Sequence, residues 1–302
     1  MRDPRRQAPP ERALRWAASS IGRGSKVLSV RRLAEGGWHA NHALTVVDGR
    51  GAEHRLVLRR WARPEWVEED PDFTPNRELD ALELLSGSPV PAPRVVAADP
   101  EGAICDVPAL LLTRLRGHPP GIPVDMNTFL GQLAGALAAI HAIDGPALER
   151  IPDYRNYHDP VVVVLPAWSR RPRLWELAIE LARSDRPRAR RCFIHRDYHP
   201  ENTLWSRERL TGVVDWTSAS LGSPAVDTGH MRWNLALTYG LDAADEFLRA
   251  HRSLAGESFA DQPYWDAVAV LDLVHDLDPA DWADFDLARL ERYLESVLRQ
   301  VG

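Results

Sequence analysis

One lysine, Lys26, and two cysteines, Cys105 and Cys192, occur in 302 residues. Two cysteines are too few for a disulfide framework and do not stand at a metal-binding spacing, which excludes stapled scaffolds and zinc ribbons. No apolar run approaches the length needed to cross a bilayer, and Met1 to Glu11 is rich in Arg and Pro without the apolar core of a secretion signal. The expectation is a cytoplasmic protein without a membrane partner, its first dozen residues mobile. The net charge is −6, and that acidic balance argues against a nucleic-acid partner. Arg186 to Arg191 is locally basic and reads as a solvated linker. Apolar residues make up 44% and charged residues 26%, an ordinary globular mix long enough for one large or two modest domains.

The richest stretch runs from Cys192 to Asp215. An apolar pair, Phe193-Ile194, leads into His195-Arg196-Asp197; Asn202 follows Asp197 after four intervening residues, and Val213-Val214 ends at Asp215. Phosphoryl transfer needs a carboxylate near the attacking hydroxyl, then a second carboxylate and a neutral oxygen on Mg²⁺. Asp197, Asp215 and Asn202 suit those roles in that order, and the spacing matches the His-Arg-Asp-(x)₄-Asn pattern of kinase-like catalytic loops. Leu204-Trp205 and Val213-Val214 read as short strands that would mount these groups.

With His199 two residues after Asp197, and Gly222-Ser223-Pro224-Ala225-Val226-Asp227 downstream, this segment resembles the aminoglycoside phosphotransferase family of small-molecule kinases. The resemblance extends from about Val27 to the helices after Asp227. It implies an α+β, bilobal protein-kinase-like fold: residues 1–25 a mobile segment and first helix, 26–116 a small antiparallel-sheet lobe for nucleotide, and 117–302 a larger, mainly helical lobe for catalysis and acceptor, with ATP or GTP between the lobes. It also implies that Asp197 orients or deprotonates the acceptor hydroxyl, that His195 belongs to the catalytic loop as its support, and that Asn202 and Asp215 bind Mg²⁺. Asp215 reaches Asp227 without a long activation segment or an Ala-Pro-Glu, and His199 stands where serine/threonine kinases carry Lys. Both departures favour a small molecule over a protein as acceptor.

Upstream, Lys26 to Leu33 and Asn41 to Val47 read as strands joined by a turn in which Gly36 and Gly37 would let backbone approach phosphate. Asn41 occupies a position the family also uses. The next strand, His54 to Trp61, is where kinases place a phosphate-binding lysine, and this chain has arginine instead. Strand alternation puts Arg59 in the lysine position and Arg60 on the opposite face. Asn76 to Leu85 has helical spacing with Asn76 as its expected cap, and Glu78 in its first turn matches the family's partner for the phosphate-binding cation. Arg94 to Ala98 and Ala109 to Leu115 complete the expected sheet, and Leu110 to Gly117 resembles the interlobe connection of the family, which implies that backbone near Leu112 to Leu115 faces the nucleotide base. Thr128 to Ile143 reads as a buried helix in which His141 is a packing residue.

The acceptor region is the least legible. Asp261, Asp266, Asp272, Asp276, Asp278, Asp281 and Asp284, interleaved with Trp265, His275 and Trp282, would suit a polycationic aminoglycoside, yet such residues are also ordinary helix-start and surface chemistry. His230, Trp233 and Asn234 are further candidates for the acceptor pocket. The leading expectation is an O-phosphotransferase acting on an aminoglycoside or macrolide. A metabolic kinase for a small alcohol, amino alcohol or sugar would share every catalytic residue, and the missing lysine leaves a nucleotide-binding pseudokinase or scaffold as the third reading.

Overall fold

Apolar residues at alternating positions in the first third of the chain build an antiparallel sheet. The computed structural model describes residues 7–33, 39–63, 73–159, 162–166, 169–256, 262–275 and 287–301. Strands β1 (Lys26–Arg32), β2 (Ala40–Val47), β3 (Glu53–Arg60), β4 (Val95–Asp99) and β5 (Ala109–Thr113) pair in the order β1-β2-β3-β5-β4, and every pairing is antiparallel. The residues of this sheet belong to the first of two compact units, 1–117 together with 211–218; the second comprises 118–210 and 219–302.

In the first unit, helix α1 (Glu11–Ile21) presents Ala13, Trp16 and Ala17 at i, i+3 and i+4 to Leu44, Val46, Leu56, Leu58 and Leu111 of the sheet. Full burial of each large apolar side chain contributes roughly 1.5–3 kcal/mol, so this helix is a fixed part of the unit. Helix α2 (Pro75–Leu85) starts one residue before the expected stretch. Its N-cap is Thr74, whose side chain accepts the N–H of Arg77, so Asn76 sits inside the helix and does not cap it. Pro75 falls at the first helical position, where its missing N–H costs nothing.

The second unit is mainly helical. It contains helices α3 (Met126–His141), α4 (Pro172–Ala182), α5 (Pro224–Tyr239), α6 (Leu241–Ala255), α7 (Gln262–His275) and α8 (Leu287–Leu298), and α3 and α5 pack against β6 (Cys192–Ile194), which pairs antiparallel with β7 (Ser220–Gly222). Leu133, Leu137, Trp175, Leu235, Phe247, Trp265, Tyr293 and Leu294 fill its core. Helix α5 packs against both α6 and α7. Gly229 makes the second contact possible: a Cβ there would lie 2.9 Å from the carbonyl oxygen of Trp265. A mid-helix glycine is otherwise unfavourable by roughly 1 kcal/mol, and here it lets two backbones approach.

The segment Arg186 to Arg191 is not simply solvated. Arg186 stacks over the rings of Tyr154 and Trp265 at 5.0 and 4.9 Å, and Arg191 pairs with Asp153 at 2.6 Å. Among the described residues, no helix is long and apolar enough to cross a membrane.

Candidate active site

Two clusters of polar side chains stand out, one in each unit. In the first, β3 carries Arg59 and Arg60 on opposite faces. Arg60 turns to Asp106, with Nε 2.8 Å from Oδ1. Arg59 is buried and meets Glu78 of α2 at 2.7 Å, and it also donates to Asp215 and, at 2.8 Å, to Thr217. Glu78 therefore reaches its expected partner, and Asp215 is an additional one. Burial, reinforced by the charge of Asp215, pushes the Glu78 carboxyl up to about 7 against the opposing pull of Arg59. Burial works against the charged guanidinium, but the two carboxylates outweigh it and raise the pKa of Arg59.

His39 completes this cluster. Its Nε2 lies 3.4 Å from Arg59, its ring stacks on Phe73 and meets Trp61 edge-on, and burial together with the charge of Arg59 holds it well below the usual imidazole range. Asn41 sits directly across the β2–β3 ladder from Arg59, hence on the same face, and its buried Oδ1 has no hydrogen-bond partner among the described residues. Leu112 lies inside the ladder opposite Val57 and Val95, whereas Leu115 lies past the last paired residue and is half-buried. Gly36 and Gly37 lie outside the described residues.

In the second unit, β6 delivers the chain into His195-Arg196-Asp197. Arg196 takes a left-handed φ of 70°, a conformation that costs a non-glycine residue about 1 kcal/mol or more. Asp227, in the first turn of α5, holds that turn: it accepts the backbone N–H of His195 at 2.9 Å and of Arg196 at 2.6 Å, while His141 reaches it at 2.9 Å. His141 is thus a polar partner, beyond the packing role its apolar neighbours suggested. Burial would raise the Asp227 carboxyl, but the His141 bond and the neighbouring histidines outweigh it and hold it below its ordinary value. The Arg196 guanidinium stacks on the Tyr157 ring at 3.9 Å.

His195 is wholly buried, and its Nδ1 accepts the Asp197 N–H at 3.3 Å, which orients the loop. Asp197 is held from two sides. Asn202 Nδ2 donates to its Oδ2 and to its backbone carbonyl, each at 2.9 Å; His230 Nε2 lies 3.1 Å and His199 Nε2 3.7 Å from its Oδ1. Burial alone would raise this carboxyl, but the bond from His230 and the charges of His199, His230 and His195 carry it well below the usual carboxylate range. The amide nitrogen of Asn202 is committed to Asp197, which leaves its side-chain oxygen as the atom suited to a hard cation. Asp215 offers the same class of donor and, like Arg196, adopts a left-handed φ, here 67°. Both carboxylate and amide oxygens fit Mg²⁺ in kind.

Of the other acceptor candidates, Trp233 packs its ring 5.3 Å from that of His230, while Asn234 donates to the carbonyl of His230 within their own helix. Asp266 faces inward to Arg232 and Gln262, and Asp272 accepts the N–H of His158. Asp261, Asp276, Asp278, Asp281, Trp282 and Asp284 lie outside the described residues. Sequence reading missed Asp227 as the clamp and His39 and Thr217 as neighbours of Arg59. Asp227 had one local signal, an acidic residue in the first turn after a Ser-Pro start.

Solved structures share this fold. A candidate aminoglycoside phosphotransferase from Ralstonia eutropha JMP134 superposes with a TM-score of 0.66 at 16% identity, covering 95% of each chain. A thermostable variant of aminoglycoside phosphotransferase APH(4)-Ia, solved with AMP-PNP and hygromycin B, gives 0.65 at 18%, covering 96% of this chain and 98% of that one. Macrolide 2'-phosphotransferase MphH from Brachybacterium faecium gives 0.58 at 20%, with coverage of 94% and 97%. No curated protein matches the sequence significantly. The model of the phosphotransferase enzyme family matches residues 29–271, a span that includes both polar clusters, and the chain belongs to that family of phosphotransferases.

Proposed function

We propose that this protein transfers the γ-phosphoryl group of ATP or GTP to a hydroxyl of a small molecule, with aminoglycosides and macrolides as the first acceptor classes to test. The observation that carries the reading is the Asp197 carboxylate, oriented by Asn202 and His230 on a loop clamped by Asp227. A carboxylate so fixed can orient an acceptor hydroxyl and take its proton as the oxygen attacks phosphorus. Its depressed pKa keeps it ionised through the neutral range, so it acts more by orienting and by electrostatics than as a strong base.

Arg59, Asn41 and Glu78 are assigned to the nucleotide, with Arg59 turning its fork from Asp215 to phosphate oxygens. Asn202 and Asp215 are assigned to Mg²⁺, which when bound supplies neutralisation of phosphate charge. His195 positions the loop. In this reading nucleotide belongs to the lobe spanning 26–116, and catalysis and acceptor to 117–302.

The inward placement of Asp266 weakens the case for an acidic acceptor wall and favours keeping the alternative of a metabolic kinase for a small alcohol, amino alcohol or sugar. Purified protein should be screened for ADP or GDP release against aminoglycosides, macrolides and small alcohols. Acceptor-dependent release identifies the class; nucleotide binding with no release for any acceptor would favour the pseudokinase reading.

A further inference from the structure

Asp197, His199 and His230 form a donor set of a kind that Mg²⁺ chemistry does not call for. Their ligand atoms all lie within 4.8 Å of one another. His230 Nε2 is 3.1 Å and His199 Nε2 3.7 Å from the same oxygen, Asp197 Oδ1. Bonds of about 2.0–2.2 Å to a tetrahedral zinc ion put adjacent ligand atoms roughly 3.3 Å apart, and the two observed separations straddle that value. Magnesium prefers oxygen and octahedral geometry; two imidazoles and one carboxylate suit zinc and its borderline neighbours.

The set is also built to keep its shape. The two oxygens of Asp197 face different partners: Oδ2 accepts from Asn202, and Oδ1 faces the imidazoles. Asp227 and His230 are one turn apart on α5, so a single helix pins the backbone at His195 and Arg196 and sets an imidazole against Asp197. The rings of His199 and His230 lie 5.6 Å apart, and all three side chains are only partly buried, which leaves an entry path.

We infer that Asp197, His199 and His230 form a three-ligand site for a divalent transition metal of the zinc class, and that occupation of this site withdraws the Asp197 carboxylate from the acceptor hydroxyl. Binding stands on the donor geometry alone; its effect on turnover rests on the role proposed above for Asp197. Zinc would take the place of the hydrogen on His230 Nε2, which moves to Nδ1 of the ring or leaves to solvent.

The test is calorimetric titration of the whole chain with Zn²⁺ alone, without nucleotide and in a non-chelating buffer at neutral pH, with Co²⁺ absorption as the spectroscopic check on imidazole ligation. The chain has 11 histidines, so the variants decide. One equivalent should bind to wild type, and His199→Ala and His230→Ala should each weaken it by at least the roughly 10–100-fold that even outer partners of a metal are worth. His230→Gln and His199→Gln serve if the alanine variants misfold. Wild type and variants that bind Zn²⁺ alike, or a wild type with no one-equivalent site, would overturn the inference. Zinc that binds as expected yet leaves turnover intact would uphold the metal site and overturn the assignment of Asp197.

Discussion

Asp227 Oδ1 accepts the backbone N–H of Arg196 at 2.6 Å, across 31 residues of sequence. The bond fixes a left-handed residue immediately before Asp197, and the same carboxylate also holds His195 and His141. Asp227→Ala leaves two buried N–H groups and a buried histidine without their acceptor. Removing one partner of such a buried set costs roughly 3–5 kcal/mol. Urea unfolding should show that loss, with Asp227→Asn intermediate; a variant within about 0.5 kcal/mol of wild type, the range of an ordinary surface change, would show that the turn does not depend on the clamp.

Asp197→Ala should keep the fold and nucleotide affinity and lose turnover by roughly 10²–10⁴, the usual worth of a positioned acid–base group. The comparison requires an acceptor from the release screen. Near-normal kcat would remove Asp197 from the chemistry.

Arg59 and Arg60 make a paired test, because neighbouring strand residues face opposite ways and these two meet different carboxylates, Glu78 and Asp106. Arg59→Ala should raise the nucleotide KM, whereas Arg60→Ala should change it little once a stability loss is allowed for. Arg59→Lys should rescue in part, since an ammonium restores charge without the bidentate fork. If Arg60→Ala is the damaging change, the assignment of the phosphate contact passes to Arg60.

Acid should destabilise the fold through His251. This side chain is fully buried with Nδ1 3.4 Å from the Ala134 carbonyl; burial, then the charge of His141, push it down to about 4, while the carbonyl and Asp227 oppose them. The unfolded chain binds a proton below the ordinary value of 6.5, and the folded chain does so only near 4. Stability is therefore present above 6.5 and is lost as pH falls through that window, by on the order of 3 kcal/mol. His251→Leu should reduce the slope of unfolding free energy against pH by up to one proton between pH 6.5 and 4. An unchanged slope would place the titration elsewhere.

The elements and the contiguous motif were legible in the sequence because their signals are local. Alternation located β2 and β3 to within a residue, and the spacing from His195 to Asn202 needs no partner to be recognised. The helix start was legible less well: Asn76 and Thr74 are both capable caps, and the proline between them makes Thr74 the one outside the helix. What the sequence does not display is pairing over distance. Arg59 and Asp215 are 156 residues apart, and His230 has no feature that marks it as the neighbour of Asp197 until α5 is placed. The acidic C-terminal run was illegible for a different reason, since Asp266 is used to neutralise Arg232 inside a helical core.

Arginine on β3 changes which reagents can find this protein. Kinases with lysine at that position offer a nucleophilic amine beside the phosphates, and nucleotide analogues bearing acylating or sulfonylating groups modify it. A guanidinium stays protonated at neutral pH and does not attack such groups, and Lys26, the only lysine, is exposed at the opposite end of the β1–β2 pairing from Arg32. An amine-directed nucleotide affinity label therefore has no lysine on β3 to acylate, and an arginine-selective dicarbonyl reagent would meet Arg59 only where it is buried and held by Glu78, Asp215 and Thr217.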